Sequence, residues 1–285
     1  MAIFTIAKLA IREVVRRRLI LALVALTLLS VALTTWGFSR IPTITQRGVP
    51  IPDVQVKLIA SQFLILVMFM FSNVLALSSV FVASPALSGD IESGIALALL
   101  ARPISRRDYV LGKWVGLAAL VVAYAAAAIA IELAAVDLAV GYVPPRPLEF
   151  AAFILGEGLV LLSLAILLST RLSGMVGGVI ALVLFGMAWL GGIVGGLGAA
   201  FGNDVIENAG TVTKLVLPTD GLWRGAVYHL QPATVLAATN AAGPAATANP
   251  FFAATPPPTA YLLWSALWIA AVLALAVASF RAREV

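Results

Sequence analysis

Glu132, Asp137 and Glu157 stand in or beside long apolar runs, and they are the residues whose type and place could do chemistry. A carboxylate in hydrocarbon is costly enough to need a partner or water. Two readings are open: a proton or cation relay, or a hydrogen-bonded tie between two antiparallel helices near the outer surface. Other chemistries lack their residues. With Cys 0 there is no disulfide, thiolate metal site or cysteine nucleophile. His229 is the only histidine, which leaves no zinc-type pair and no Ser/His dyad, and it reads as an external, solvated side chain. Gly112-Lys113 lacks the upstream glycine and the following Ser/Thr of a phosphate loop, so nucleotide must be handled elsewhere. No metal or cofactor is expected on this chain.

The elements that must hold these acids follow from composition. At 62% hydrophobic and 11% charged, with mean hydropathy +1.06, the chain has too few polar residues to cover a water-soluble globule. Six apolar stretches, at residues 19–39, 58–83, 111–141, 148–169, 173–199 and 259–280, each reach the ~20 residues that cross ~30 Å of hydrocarbon. They are rich in Leu, Ala, Val and Ile without period-2 alternation, so they are helices rather than barrel strands. The expectation is an all-α polytopic membrane protein, a single transmembrane domain over residues 1–285. The first run continues past Leu33 without an A-x-A-like site, so it stays as a span. Twelve of the 18 Lys and Arg residues fall on the side that holds both termini, which places the termini in the cytoplasm. The pI of about 9.9 comes from residues flanking spans without stacking aromatics, so the partner is an anionic lipid bilayer and not nucleic acid.

The joints carry more. In residues 2–18, Ile3, Phe4, Ala7, Ile11, Val14 and Val15 share one arc and Lys8, Arg12 and Arg16 the other, with Arg17 and Arg18 following. This reads as an interfacial helix on the inner leaflet, or as ordinary basic flanking sequence. In residues 84–110, Pro85 and Gly89 end the second span, an amphipathic helix runs from Asp90 to Arg102, Pro103 stops it, and Ser105-x-x-Asp108 caps the third span. Residues 200–258 form the longest outer loop: helical from Asn203 to Leu230, with Pro218-Thr219-Asp220 making a break and a new N-cap, then a flexible or extended cover from Ala237 to Pro258. Trp223 beside Arg224 suits a membrane-interface anchor. Ten of the 23 glycines lie between Gly174 and Gly202; the pairs Gly174/Gly178, Gly191/Gly195 and Gly192/Gly196 allow close helix approach, within the subunit or against a second one. Polar residues of the second span, Asn73 among them, either face an aqueous path or glue helices together.

Taken together, the joints resemble a type-2 ABC transporter permease, most similar to the branch containing the permease of the nitrous-oxide-reductase copper-site maturation system. The residues that carry this are Arg16-Arg17-Arg18; Asp90-Ile91-Glu92-Ser93-Gly94 with Leu99-Leu100-Ala101-Arg102-Pro103-Ile104-Ser105-Arg106; Tyr109-x-Leu111-Gly112-Lys113; and Leu217-Pro218-Thr219-Asp220-Gly221-Leu222-Trp223. The chain departs from many relatives at Gly94-Ile95, where a threonine commonly follows the glycine. Met68 and Met70, which a copper reading would invoke, point to different helix faces at i, i+2.

The resemblance implies a permease, working as an exporter, in which two copies or a copy and a paralogue meet at the membrane centre. It also implies cytoplasmic ATPase subunits that carry the ATP and Mg, and a coupling helix between spans two and three. On that footing Asp90, Glu92, Arg102 and Arg106 make polar contacts with the ATPase, Ile91, Ile95 and Leu99 seat the helix, and Pro103 ends it. The membrane is that of a bacterial or archaeal cell, the inner membrane. The rivals are a secondary transporter or channel, and a scaffold that transmits motion to an extracytoplasmic partner and moves no solute.

Overall fold

A long apolar run can satisfy its backbone in hydrocarbon only as a helix. The computed structural model, which describes residues 2–16, 18–101, 103–243, 246 and 248–283, follows that rule. Six helices are long and apolar enough to span: α2 (Arg18–Ser39), α3 (Asp53–Ala83), α6 (Arg106–Val140), α7 (Pro147–Ser169), α8 (Gly174–Phe201) and α12 (Thr259–Arg281). Shorter helices fill the joints: α1 (Ala2–Val15), α4 (Pro85–Glu92), α5 (Ile95–Leu100), α9 (Asp204–Val216), α10 (Thr219–Leu230) and α11 (Ala233–Ala241). The molecule is an all-α polytopic membrane protein. Among the described residues its strands are one two-residue pair, β1 (Thr45–Gln46) and β2 (Val49–Pro50), closed by Arg47-Gly48 at positive φ.

α7 is the centre of the bundle. Its run is apolar on every side, which is the mark of a buried helix, and it packs against α3, α6, α8, α10 and α12. Ile154, Val160, Leu161, Leu162, Ala165 and Ile166 are fully buried there. By contrast α2 leans mainly on α6 and leaves Leu21, Leu28, Leu29, Leu33 and Trp36 exposed.

The outer segment is helical over Asn203 to Leu230 as expected, but it folds back onto the bundle. Gly202 ends α8 in the left-handed region and the Asn203 side chain accepts from the Ile206 amide at 3.2 Å. The chain therefore doubles back, and α9 lies along α8, where a Cβ on Gly195 would stand 2.9 Å from Gly210 Cα. α10 then packs into α7, with Leu222 3.6 Å from the Cβ position of Gly156. Gly156 lies nine residues inside α7, so α10 enters the bundle by about 13 Å at 1.5 Å per residue.

Two expectations change with that insertion. Trp223 is no interface anchor: it is buried and donates its Nε1 to the Pro250 carbonyl at 2.9 Å. His229 is not solvated; it is buried, its Nδ1 lies 2.7 Å from the Gly225 carbonyl and its ring stacks on Phe153. The break and N-cap of α10 fall at Pro218, within the expected run, and Asp220 turns inward to Arg224 Nε at 2.9 Å and Lys214 Nζ at 3.9 Å. Burial lowers the Lys214 pKa from its ordinary value, with Asp220 pulling against it. The common cause is that Trp223, His229, Arg224 and one oxygen of Asp220 find partners inside the fold, so the helix can be buried almost whole.

Candidate functional site

The joint between α3 and α6 is a pair of short helices, not one. The second span, α3, ends at Ala83, and Pro85 takes the first helical position of α4, where its missing N–H costs nothing, while Ser84 N still bonds to Val80 O at 2.8 Å. Gly89 lies inside α4. The break comes at Gly94, whose φ of 74° is strained for any side chain, and α5 starts beyond it. The expected helix from Asp90 to Arg102 is thus divided. Ser105 then caps α6 by accepting from the Asp108 amide at 3.0 Å.

Asp90 stands on the inner side of this joint. It is buried, bonded to Lys113 Nζ at 2.7 Å, and it accepts a hydrogen bond from the Tyr109 hydroxyl. Lys113 also reaches Glu13 Oε2 at 3.0 Å. One ammonium therefore ties α4, α6 and α1 together, and the Tyr109 ring stacks on Phe280 of α12 at 5.6 Å. Asp90 has no surface to offer a partner, which corrects its expected role. Arg106 is also engaged: its Nη1 donates to the carbonyls of Arg281 at 3.0 Å and Arg283 at 2.5 Å, closing the C-terminal end of α12.

The outward side of the joint is small and mostly apolar. Glu92, Ile95, Leu97 and Pro103 are exposed, whereas Ile91 and Leu99 are half-buried against the core and Ala96 is buried. The expected seat of Ile91, Ile95 and Leu99 therefore splits between two faces. Arg102, like Arg17 and the side chain of Arg18, lies outside the described residues.

α1 is docked along α6 rather than simply laid on a leaflet. Ile6, Ala7, Ala10 and Val14 are buried. A Cβ on Gly112 would lie 2.7 Å from Ile6 Cβ, and one on Gly116 2.5 Å from the Ala7 carbonyl oxygen. Lys8, Arg12 and Arg16 are exposed on the other side. Phe4 and Val15, expected on the apolar arc, are exposed because the packed face is rotated toward Ile6 and Ala10.

The three acids do not converge. Glu157 sits beside the midpoint of α7 and accepts from the Ser72 hydroxyl of α3 at 2.7 Å. Glu132 is buried on α6 and lines a cleft between α2, α3 and α6. Asp137 is exposed near the end of α6. The tie at Glu157 runs from α7 to α3, not between the two acid-bearing helices. The glycines of α8 meet neighbours within the subunit: Gly174 faces Pro85, Gly178 faces Ser84, Gly191 faces Thr213 and Gly195 faces Gly210. Asn73 is half-buried and donates to the carbonyl of Phe69 in its own helix at 2.8 Å.

Lys113, Tyr109 and Glu13 were not foreseen as a cluster with Asp90. The legible signal was Lys113 itself, a cation eight residues into a span, where an unpaired charge is expensive. The family model described as ABC-2 family transporter protein matches residues 4–285, and so takes in all six spans and the joint that carries this cluster. No curated protein matches the chain.

Proposed function

The chain belongs to the ABC-2 family of membrane transporter proteins, and on that premise we propose that it is the permease subunit of an exporter driven by separate cytoplasmic ATPase subunits. Those subunits hold the ATP and Mg, and the permease works with a second copy or a paralogue. The observation that carries this reading is the joint α4–α5: an exposed tip of Glu92, Ile95 and Leu97 whose root is pinned to α6 through Asp90 and Lys113. A push on such a tip is passed to a span as a rigid-body tilt. Residues 84–110 are then the coupling loop, residues 2–18 an interfacial helix braced on α6, and residues 200–258 the extracytoplasmic segment, open to a partner there.

The excess of Lys and Arg on the side of the termini supports a cytoplasmic position for both, in the inner membrane of a bacterial or archaeal cell. The finer likeness, to the nitrous-oxide-reductase maturation branch, rests on Leu217-Pro218-Thr219 with Leu222-Trp223, which here makes the turn into α10 and its buried anchor.

The test is purification of the tagged chain from its native membranes in mild detergent, for the native protein and for Ile95→Asp/Leu97→Asp. These side chains are exposed, so the variant folds. The expected result is a stoichiometric ATP-binding partner on the native chain that is lost from the variant. A chain that runs alone as a stable oligomer favours the secondary carrier, channel or scaffold.

A further inference from the structure

Between α2, α3 and α6 lies a cleft of about 190 Å³ that none of the preceding roles uses. Its walls are mainly apolar, with Leu26, Val67, Met70, Phe71 and Val74 prominent, and its polar groups are Thr27, Ser30, Tyr124 and Glu132. A closed apolar cavity of roughly 150 Å³ is enough to take up benzene. Leu26 and Ser30 are exposed at its mouth because α2 packs loosely, so the cleft opens sideways toward the hydrocarbon.

The polar groups in the cleft are acceptors in search of donors. Thr27 spends its hydroxyl proton on the Leu23 carbonyl at 2.9 Å. The Tyr124 hydroxyl, 2.8 Å from Thr27 Oγ1, must therefore donate to it, which leaves the phenol oxygen free to accept. Glu132 is 5% exposed and its Oε1 has no hydrogen-bond partner. A buried acceptor without a donor is costly, and more so when it is charged. The missing chemistry is a cation that carries several N–H donors and no acceptor.

We propose that this cleft binds a small lipophilic amine taken from the bilayer, with its ammonium on Glu132 and its apolar body against Met70, Phe71 and Ala128. Glu132 and Tyr124 are eight residues apart on α6, about 12 Å along the helix, which sets the length of the ligand. The rings of Phe71 and Tyr124, 6.3 Å between centroids, close the lower end. An inorganic cation is a poorer fit, since it needs a shell of oxygens and most of this wall is hydrocarbon.

The site is a property of this chain alone, so its test needs neither ATPase nor transport and stands apart from the permease reading. The purified chain in lipid nanodiscs is titrated with 4-phenylbutylamine and with the uncharged isostere 4-phenylbutanol, reading bound ligand by equilibrium dialysis against empty nanodiscs. Saturable binding of the amine is expected, at least ten-fold tighter than the alcohol. Glu132→Gln is expected to weaken the amine at least ten-fold and leave the alcohol unchanged. Ser30→Phe, which blocks the mouth from an exposed position, is expected to abolish both and covers the case in which Glu132→Gln misfolds. Amine uptake no greater than partition into empty nanodiscs, equal binding of amine and alcohol, or full binding by a folded Glu132→Gln chain overturns the proposal.

Discussion

The Lys113 ammonium lies 2.7 Å from the Asp90 carboxylate, with both side chains more than nine-tenths buried, and this pair joins the short helix α4 to the span α6. Its worth depends on which partner is removed. Lys113→Met leaves Asp90 charged, buried and served only by Tyr109, and breaking a buried pair in this way costs about 3–5 kcal/mol. Replacing both, as Asp90→Asn/Lys113→Met, removes the stranded charge and should recover more than half of that loss. Thermal unfolding in detergent checks both variants; a double variant no more stable than Lys113→Met shows that the pair is not the tie described.

The docking of α1 depends on two missing side chains. At Gly116 a Cβ meets the backbone of Ala7, which cannot rotate away as a side chain would. Gly116→Val should therefore lift α1 from α6 and cost about 1–3 kcal/mol by overpacking. Hydrogen exchange of residues 2–15 is the direct readout: faster exchange there, with the spans unchanged, is the expected result.

What was legible in the sequence was set by the range of the interactions involved. The six spans follow from run length alone, because a helix in hydrocarbon needs only its own backbone. The cap at Ser105 is equally local. Asp90 reads as outward-facing from the sequence because its partners, Tyr109 and Lys113, come from α6, with Glu13 of α1 on the same ammonium, and leave no mark on the pattern around it. α10 shows the same limit. Asp220, Arg224 and His229 look like a solvated face until Lys214, Gly192 and Phe153 are brought to them. The glycine pairs of α8 announced a close contact, but nothing in their spacing named α9 as the neighbour.

The glycines of α8 can be sorted by what a methyl group would meet. Alanine in place of a helical glycine gains about 1 kcal/mol in propensity, so the sign rests on the clash. At Gly186 nothing lies within 4 Å, and Gly186→Ala should raise stability by up to that amount. At Gly195 the new Cβ stands 2.9 Å from Gly210 Cα, backbone against backbone, and overpacking of about 1–3 kcal/mol should outweigh the gain. Thermal unfolding of the two variants side by side gives shifts of opposite sign if α8 and α9 form the hairpin described.

Glu157 separates the two readings of the intramembrane acids. It is buried beside the midpoint of α7, and its described hydrogen bond comes from the Ser72 hydroxyl at 2.7 Å. A tie needs an acceptor at that point and not a charge. Glu157→Gln keeps the acceptor and lightens the desolvation cost, so stability should hold within about 1 kcal/mol or rise. Ser72→Ala keeps the acid and deletes its donor, which should cost about 1–3 kcal/mol. A relay inverts the order of damage in function, since Gln cannot carry a proton while the alanine variant leaves the carboxyl in place. Transport rates in vesicles, read beside unfolding temperatures, decide between them: the tie predicts Glu157→Gln near the native rate, and a folded Glu157→Gln chain without transport would establish the relay instead.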